Sequence, residues 1–396
     1  MRPPVPPLAR PATPGEARLR IQYLLLHAYG VGGTIRTVFN QANAMAAAGH
    51  EVSIASVVRR KDEPRFPLDP RVELLTLNDQ RSGVPADSLP RRAWRRMRGK
   101  IVPLGEFAAS YFTERVEKAV IDHVAALDGG VLVTTRPALN LIAARRAAPG
   151  VRKVAQEHMN LATHRDTVRR EIARHYHAFD AVVVLTETDR RAYERLLPGV
   201  PVVRIPNAVD VRGREPSRQE NPIVVAAGRL VRQKGFDLLV PAFAEVARRH
   251  PDWRLRIYGT GPKKAELAGL ISAHGLQDVV TLMGHSTGFD EALSEASIFA
   301  LSSRFEGLPM VMIEAMAHAL PVVAFDCPTG PADVITHGVD GLLAGREDVA
   351  GLAAALDRLI TDTALRRRMS TAARLAVQDY SPEIVMPRWE ALFRGL

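Results

Sequence analysis

The sequence predicts an α/β protein made of two domains, each built on a parallel sheet. Short apolar runs of strand length alternate with helical runs, and glycine-containing turns join many of them. A polar, proline-bearing stretch at 211–222 separates two such series. With 396 residues, the chain is long enough to bury a separate core in each domain.

These observations also predict the domain boundaries. Residues 1–18 are rich in proline, and we expect them to form a disordered tail. The first domain is predicted at 19–210, the linker at 211–222 and the second domain at 223–379. Residues 380–396 are predicted to form a terminal helix, because Ser381 and Pro382 make a favourable helix start.

Composition narrows the class of protein. The chain is 46% hydrophobic and 24% charged, as in soluble globular proteins. No apolar run approaches the roughly 18 residues that a membrane span requires, and the beginning of the chain lacks a signal-like apolar stretch, so we expect a cytoplasmic protein. The single cysteine, Cys327, excludes an intrachain disulfide and a multi-cysteine metal site. A net charge of +10 is compatible with nucleic acid, an acidic membrane or a phosphorylated ligand, and charge alone does not choose among them.

In the first half, a glycine loop follows the first predicted strand, Arg20–Ala28. The loop contains Gly32 and Gly33 and leads into a predicted helix that ends at Ala48. Glycines between a strand and a helix let the backbone approach a phosphate or a sugar closely. Ile35 stands where the dinucleotide-binding fingerprint requires a third glycine, which disfavours a nicotinamide-dependent dehydrogenase.

One histidine of the first half has an informative position. His158 ends the predicted strand Lys153–His158, and in open α/β sheets ligands bind beyond the carboxyl ends of the strands.

A basic loop begins the second half. Arg229 and Lys234 follow the predicted strand Ile223–Gly228. An arginine can bind two oxygens through its planar fork and a lysine acts as a point charge, so this pair suits a diphosphate.

Two glutamates accompany the central βαβ unit of the second half. Its helix is predicted at Leu308–Ala317, with Pro309 at the first helical position. Glu306 therefore lies just before the helix and Glu314 about one and a half turns further on. This spacing suits two separate groups of sugar hydroxyls. The free amides of Gly307 and Leu308 would favour an anion or a hydroxyl-rich ligand.

A basic segment lies within the first domain, where apolar residues at helical spacing are surrounded by cations. It contains Arg91, Arg92, Trp94, Arg95, Arg96, Arg98 and Lys100. Two interpretations stand: a basic amphipathic helix on an anionic membrane or polyanion, or a solvated helix that packs its apolar stripe on its own domain. Pro103 limits such a helix to a few turns.

Several of these segments resemble a known family. Glu306 and Glu314, with seven residues between them in SRFEGLP and IEAMAHALPVV, resemble the paired-glutamate motif of family 4 retaining glycosyltransferases. The segments GRLVRQKGFDLLVPAF and PNAVD are also similar to segments of this family. The segment FDCPTGP resembles the bacterial branch that glycosylates surface polysaccharides and wall teichoic acids. The resemblance runs from about Arg20 to the C-terminus.

The resemblance implies the GT-B fold, in which two Rossmann-like doubly wound parallel-sheet domains face each other across a cleft. The first domain would bind the acceptor and the second the nucleotide sugar, and the terminal helix would cross back to the first domain. It implies catalytic roles for His158 and Glu306. Donor-binding roles are implied for Gly32, Gly33, Arg229, Lys234, Gly284, Gly307, Leu308, Pro309 and Glu314.

The expected function is retaining transfer of a hexose or N-acetylhexosamine from a nucleoside-diphosphate sugar, with UDP favoured. The expected acceptor is a cell-envelope glycan, a teichoic acid or a lipid-linked glycan. No metal or other cofactor and no nucleic acid partner is expected, and a position on the inner face of the membrane is a further expectation. The alternatives are a GT-B epimerase or phosphorylase and a non-catalytic polyanion-binding protein.

Overall fold

The computed structural model describes residues 17–81 and 99–396. Most of the predicted tail at 1–18 lies outside these residues. So does most of the basic segment, namely Arg91, Arg92, Trp94, Arg95, Arg96 and Arg98. The described part of the chain divides into two compact units.

The first unit contains the described residues up to Ala208 together with Glu383–Leu396. Its described residues form a seven-stranded parallel sheet in the order β3-β2-β1-β4-β5-β6-β7. The strands are β1 Arg20–Leu25, β2 Glu51–Ser56, β3 Glu73–Thr76, β4 Val131–Thr134, β5 Arg152–Gln156, β6 Ala181–Val184 and β7 Val202–Arg204. The helices between them are α1 Gly33–Ala47, α2 Glu114–Ala125, α3 Pro137–Arg146, α4 Asp166–His175 and α5 Glu187–Leu196.

Both faces of this sheet are covered. Neighbouring residues of β1 point to opposite faces, so Tyr23 joins one apolar cluster and Leu24 another. Each strand of such a sheet needs apolar side chains on both sides, which explains the continuous apolar runs in the sequence.

The terminal helix packs on this first unit. It spans Pro382–Gly395, and Trp389 and Phe393 lie in the same cluster as Phe39 of α1. The ring of His50 contacts the carboxylate of Glu390 at 3.2 Å.

The second unit is Val209–Pro382. Its described sheet has six parallel strands in the order β10-β9-β8-β11-β12-β13. The strands are β8 Ile223–Ala227, β9 Arg254–Tyr258, β10 Val280–Gly284, β11 Ile298–Leu301, β12 Val322–Phe325 and β13 Gly341–Ala344. The helices of this unit are α6 Phe236–Arg249, α7 Lys264–Ala273, α8 Phe289–Glu295, α9 Met310–Ala317, α10 Pro331–Val334, α11 Val349–Thr361 and α12 Thr363–Ala376. The terminal helix Pro382–Gly395, which packs on the first unit, is α13.

The stretch 211–222 is seated on the second unit. The amide of Ser217 donates to the carbonyl of His318 at 2.8 Å, and the side-chain amide of Gln219 donates to the carbonyl of Ala319 at 3.2 Å. Both Ser217 and Gln219 are buried. This polar stretch is therefore held by specific hydrogen bonds.

These two sheets confirm the predicted fold class of two doubly wound parallel α/β domains. In each sheet the strand order reverses once, between β1 and β4 in the first unit and between β8 and β11 in the second. Such a switch point leaves a crevice beyond the carboxyl ends of the strands, where ligands bind in folds of this class.

The structure corrects the end of the predicted basic helix. Residues 99–104 are not helical, because the carboxylate of Glu117 accepts hydrogen bonds from the successive amides of Lys100, Ile101 and Val102. Ile101 is buried in the core of the first unit, while Lys100 is exposed. Among the described residues, no helix is both long and apolar enough to cross a membrane.

Candidate functional site

In the second unit, an ion pair joins two of the predicted site residues across the switch point. Lys234 lies in the loop after β8 and Glu306 in the loop after β11. The Nζ atom of Lys234 contacts Oε1 of Glu306 at 2.6 Å, and both side chains are largely buried. Ser303 Oγ donates to the same carboxylate oxygen. The two loops thus place a cation and a carboxylate at the carboxyl edge of the sheet.

A glycine allows the two loops to meet. Gly235 has a φ of +63°, and a Cβ atom at this position would lie 1.9 Å from the carbonyl oxygen of Ser302. A side chain there would be both strained and in collision with the backbone. The hydroxyl of Ser302 in turn donates to the carbonyl of Lys234 at 2.9 Å. Close backbone approach at Gly235 therefore positions Lys234 beside the loop that carries Glu306.

Arg304 braces the same pair of loops. Its guanidinium binds both carboxylate oxygens of Asp237 at 2.8 and 2.7 Å and the carboxylate of Glu347 at 3.0 Å. Its Nη1, one of the two nitrogens bound to Asp237, also donates to the carbonyl of Arg232 at 2.8 Å. Arg304 is buried, and its hydrogen bonds lower the pKa of Asp237. These bonds fix the loop that precedes Glu306 with little rotational freedom.

The amides beside Glu306 are available to a ligand. Within the described part of the chain, the amides of Gly307 and Leu308 donate no hydrogen bond. Helix α9 begins at Met310. Pro309 is therefore the residue just before the helix, whereas the prediction made it the first helical residue. Thr329, in the loop after β12, donates from its hydroxyl to the carbonyl of Glu306. The edge of the sheet therefore presents unpaired donors next to a carboxylate.

The other predicted donor-binding residues of this unit lie on nearby elements. Arg229 follows β8 and is exposed. Gly284 ends β10 with a φ of +74°, and its carbonyl accepts from the amide of Gly259 at 2.7 Å. Glu314 lies on α9, half-buried, and is the fifth residue of that helix.

In the first unit, a cavity of about 220 Å³ lies beyond the ends of β1, β4 and β5. It is lined by Gly32 and Gly33 after β1, by Arg136 after β4, and by Glu157 and His158 after β5. Among the described residues, no side chain caps the N-terminus of α1 at Gly32, so the first amides of this helix are open to a ligand. The Nε of Arg136 donates to Glu106 at 3.0 Å.

Glu157 and His158 are both shifted toward their neutral forms. Burial raises the pKa of Glu157 to about 7, against the lowering effect of hydrogen bonds from Tyr176 and Asn140 at 2.5 and 2.7 Å. Burial and the nearby charge of Arg136 lower the pKa of His158 to about 4. The second carboxylate oxygen of Glu157 and Nε2 of His158 are buried without a protein partner in the described structure. The cavity wall therefore carries a neutral imidazole beside a carboxyl that titrates near neutrality.

The predicted site residues thus fall into one group on each unit. The structure brings Lys234, Glu306, Gly307 and Leu308 together in the second unit, and Gly32, Gly33 and His158 around one cavity in the first. Sequence reasoning missed Glu157 and Arg304. Glu157 carries no signal beyond its place beside His158, whereas Arg304 could have been suspected from its position two residues before Glu306.

Comparison with known families covers most of the chain. Residues 31–212 match the family described as Glycosyltransferase Family 4, and residues 210–376 match the family described as Glycosyl transferases group 1.

Two relatives illustrate the similarity. The chain is 32% identical to the amylovoran biosynthesis glycosyltransferase AmsD of Erwinia amylovora, over 60% of this chain and 69% of AmsD. It is also 34% identical to an exopolysaccharide phosphotransferase of Streptomyces coelicolor over 96% of this chain, although it spans only 41% of the length of that relative.

Solved structures share the architecture. The structure of Staphylococcus aureus TarM in complex with fondaparinux, alpha-GlcNAc-glycerol and UDP superimposes with a TM-score of 0.76 and 17% identity, covering 95% of this chain and 100% of that chain. At this identity the likeness establishes the fold, which is GT-B. The family matches, the similarity to AmsD and the shared fold together show that this chain belongs to family 4 of the glycosyltransferases.

Proposed function

We propose that the chain is a retaining glycosyltransferase that moves a hexose or N-acetylhexosamine from a nucleoside-diphosphate sugar, with UDP favoured, to a cell-envelope glycan, a teichoic acid or a lipid-linked acceptor. The main support is the ion pair between Lys234 and Glu306, 2.6 Å long, at the switch point of the second unit. A cation and a carboxylate at this place match the two ends of a nucleotide sugar, its diphosphate and its sugar hydroxyls. The UDP in the TarM structure supports the choice of nucleotide.

In this proposal the donor exchanges the partners of the ion pair. The diphosphate binds Lys234, Arg229 and the amides of Gly307 and Leu308. Glu306, released from Lys234, accepts hydrogen bonds from the donor sugar, and Glu314 binds the ribose. Gly32, Gly33, Gly284 and Pro309 approach the donor through their backbone.

The chemical step is proposed to occur on one face of the sugar. The bond between the anomeric carbon and the diphosphate oxygen breaks, and a bond to the acceptor oxygen forms. The acceptor proton passes to an oxygen of the departing diphosphate. A neutral His158 does not repel the positive charge that develops on the sugar, in keeping with its lowered pKa. The protein supplies position and charge stabilisation.

A panel of nucleotide sugars tests this function. Purified protein is incubated with UDP-sugars and GDP-sugars, with and without envelope glycan acceptors, and the released nucleoside diphosphate is measured. We expect acceptor-dependent release with one donor, lost in Glu306→Gln and kept in the exposed control Glu220→Gln. If none of the tested nucleotide sugars releases a nucleoside diphosphate, the proposal is overturned. Conversion of the donor sugar without an acceptor would identify an epimerase instead.

Stereochemistry is tested on the product. We expect an α-linked product from an α-linked donor, measured by the anomeric coupling in proton NMR. A β-linked product would contradict retention and require a catalytic base opposite the diphosphate.

Metal independence is also part of the proposal, because Lys234, Arg229 and the amides near Glu306 provide the positive charge that the diphosphate needs. Turnover is expected to persist in EDTA. Its loss in EDTA and recovery with magnesium or manganese would refute this part.

We further propose that the basic segment places the enzyme at an anionic membrane surface or on an anionic acceptor. Vesicles containing phosphatidylglycerol are compared with pure phosphatidylcholine vesicles in a flotation assay. Replacement of the segment's cations by glutamine is expected to abolish binding to the anionic vesicles. The replaced residues are Arg91, Arg92, Arg95, Arg96, Arg98 and Lys100. If the variant binds the anionic vesicles as well as the wild type does, the segment does not act on lipid. The acceptor would then be the partner of this segment, and an anionic glycan in place of lipid tests this.

A further inference from the structure

A second cavity of the first unit lies outside the candidate functional site. It has a volume of about 320 Å³ and opens beyond the ends of β2 and β3. Its polar lining comprises Arg60, Asn78, Asp79, Gln80, Arg81, Ser110, Tyr111, Thr113 and Arg115, so it includes one carboxylate. Three guanidinium groups thus line one cavity, together with the hydroxyl groups of a tyrosine and a threonine.

Arg60 is held in place with its fork unoccupied. Its Nε donates to Oε1 of Gln80 at 3.0 Å, and its guanidinium carbon lies 4.5 Å from the centre of the Tyr111 ring. The two terminal nitrogens have no hydrogen-bond partner among residues 17–81 and 99–396. A guanidinium fixed by stacking, with both terminal nitrogens open, can bind two oxygens of one ligand with little loss of rotational freedom.

The other charges build the wall of the cavity. Arg81 contacts the carboxylates of Asp79 and Asp62, each at 2.7 Å, so its charge is matched. Thr113 caps helix α2, where its side chain accepts a hydrogen bond from the amide of Val116. The positive end of this helix therefore lies at the same cavity, and its first turn also carries the acidic residues Glu114 and Glu117.

We propose that this cavity binds an oxyanion, a phosphate or a carboxylate, carried by the glycan acceptor. The assignment to the acceptor rests on the proposed function. The cavity itself is assigned as an anion site from Arg60, from the Gln80 side chain and the Tyr111 ring that hold it, and from the surrounding hydrogen-bond donors.

The position of the cavity suits this role. In the sheet, β2 lies beside β1, so both cavities of the first unit open at the same edge of the sheet. Arg59 lies over the ring of Tyr29, 4.6 Å from its centre, and so links the loop after β2 to the loop after β1. His27 lines the first cavity, and its pKa is lowered by burial, by Arg136 and also by the nearby charge of Arg60. An acceptor held in the first cavity can therefore place an anionic group near Arg60.

Binding is measured by calorimetry without any nucleotide sugar, so that the result does not depend on turnover. The probes are inorganic phosphate, an oligogalacturonate and a neutral malto-oligosaccharide, at constant ionic strength. We expect the wild type to bind at least one of the two anions, and Arg60→Gln to weaken that binding about tenfold or more, as for a lost charged hydrogen bond. The matched control Arg195→Gln, an exposed arginine on α5, is expected to bind like the wild type.

A second variant separates the site from general charge. Tyr111→Leu keeps every cation but removes the ring under Arg60, and it is expected to weaken anion binding as well. Absence of anion binding in the wild type, or equal binding in Arg60→Gln and the wild type, would overturn the proposal. If the wild type binds phosphate but turns over no nucleotide sugar, the cavity stands and the proposed function fails.

Discussion

The two groups of candidate residues differ in how their buried polar atoms are stabilised. In the second unit, Lys234 and Glu306 are paired at 2.6 Å, and Ser303 adds a hydrogen bond to the carboxylate. In the first unit, Glu157 and His158 each keep a buried polar atom without a protein partner. One group therefore holds its charges by pairing them, while the other avoids charge by shifting its pKa values.

The difference has a physical origin. A buried ion pair offsets the cost of removing both charges from water, whereas an isolated buried ionisable group becomes neutral. The second unit is thus arranged for a ligand that exchanges charged partners, as a diphosphate would. In the first unit, His158 and the protonated form of Glu157 present neutral polar atoms, which suit hydroxyl groups.

The largest expected effect is that of breaking the pair. Lys234→Ala leaves Glu306 buried and unpaired, so we expect the free energy of unfolding of the second unit to fall by about 3 kcal/mol. We also expect a lower kcat/KM, equivalent to an increase of about 2–3 kcal/mol in the activation free energy. Urea denaturation and donor kinetics measure the two effects.

A double variant provides the control for this experiment. Adding Glu306→Gln to Lys234→Ala removes the unpaired charge and is expected to restore part of the lost stability, which a double-mutant cycle quantifies. Additive losses would show that the two side chains are not coupled.

In the first unit, substitution of a buried ionisable side chain is expected to raise the free energy of unfolding instead of lowering it. Burial raises the pKa of Glu157 from 4.5 to about 7, so the unfolded chain loses this proton first as the pH rises. The wild type therefore loses stability between pH 4.5 and 7, by at most about 3 kcal/mol. Glu157→Gln is expected to be more stable than the wild type at pH 8, with the gain vanishing below pH 4.5.

Urea denaturation at several pH values measures this gain, and the exposed Glu63→Gln serves as the control. A destabilised Glu157→Gln at pH 8 would mean that the charged carboxylate is favoured in the folded state, contrary to the comparison.

Arg229 sharpens the comparison within the second unit. It is exposed, whereas Lys234 is largely buried. Arg229→Ala is expected to raise the barrier in kcat/KM by about 2 kcal/mol while changing the unfolding free energy by no more than about 0.5 kcal/mol. Donor kinetics and urea denaturation are compared with the exposed control Arg218→Ala. Unchanged kinetics would remove Arg229 from the donor site.

A further pH effect concerns His158, whose resonance should not titrate near pH 6.5. Burial and Arg136 lower its pKa to about 4, so the unfolded chain accepts this proton first as the pH falls. Its contribution to stability is therefore lost between pH 6.5 and 4. Proton–nitrogen NMR of the imidazoles measures the pKa, and the resonance absent in His158→Gln identifies the residue. A midpoint near 6.5 would place His158 in contact with solvent.

Local patterns predicted the framework of both units. The strand predicted at Ile223–Gly228 is observed at Ile223–Ala227, and the helix predicted at Leu308–Ala317 is observed at Met310–Ala317. Strand β13, Gly341–Ala344, was not predicted, because four residues that begin at a glycine carry little periodicity. The site in the second unit could also be anticipated, since loops after parallel strands lie at one edge of the sheet.

Local sequence patterns therefore account for the alternation of strands and helices, the glycine turns and the types of residue that end the strands. These depend on neighbours within a few positions, and a single sequence displays them. The pairing of Lys234 with Glu306 joins residues 72 positions apart. The shifted pKa of Glu157 depends on burial among Asn140 and Tyr176. The ion pair and the shifted pKa both follow from the three-dimensional fold, because burial and long-range contacts set the energy of a charge. Neither burial nor a long-range contact can be inferred from the local sequence pattern.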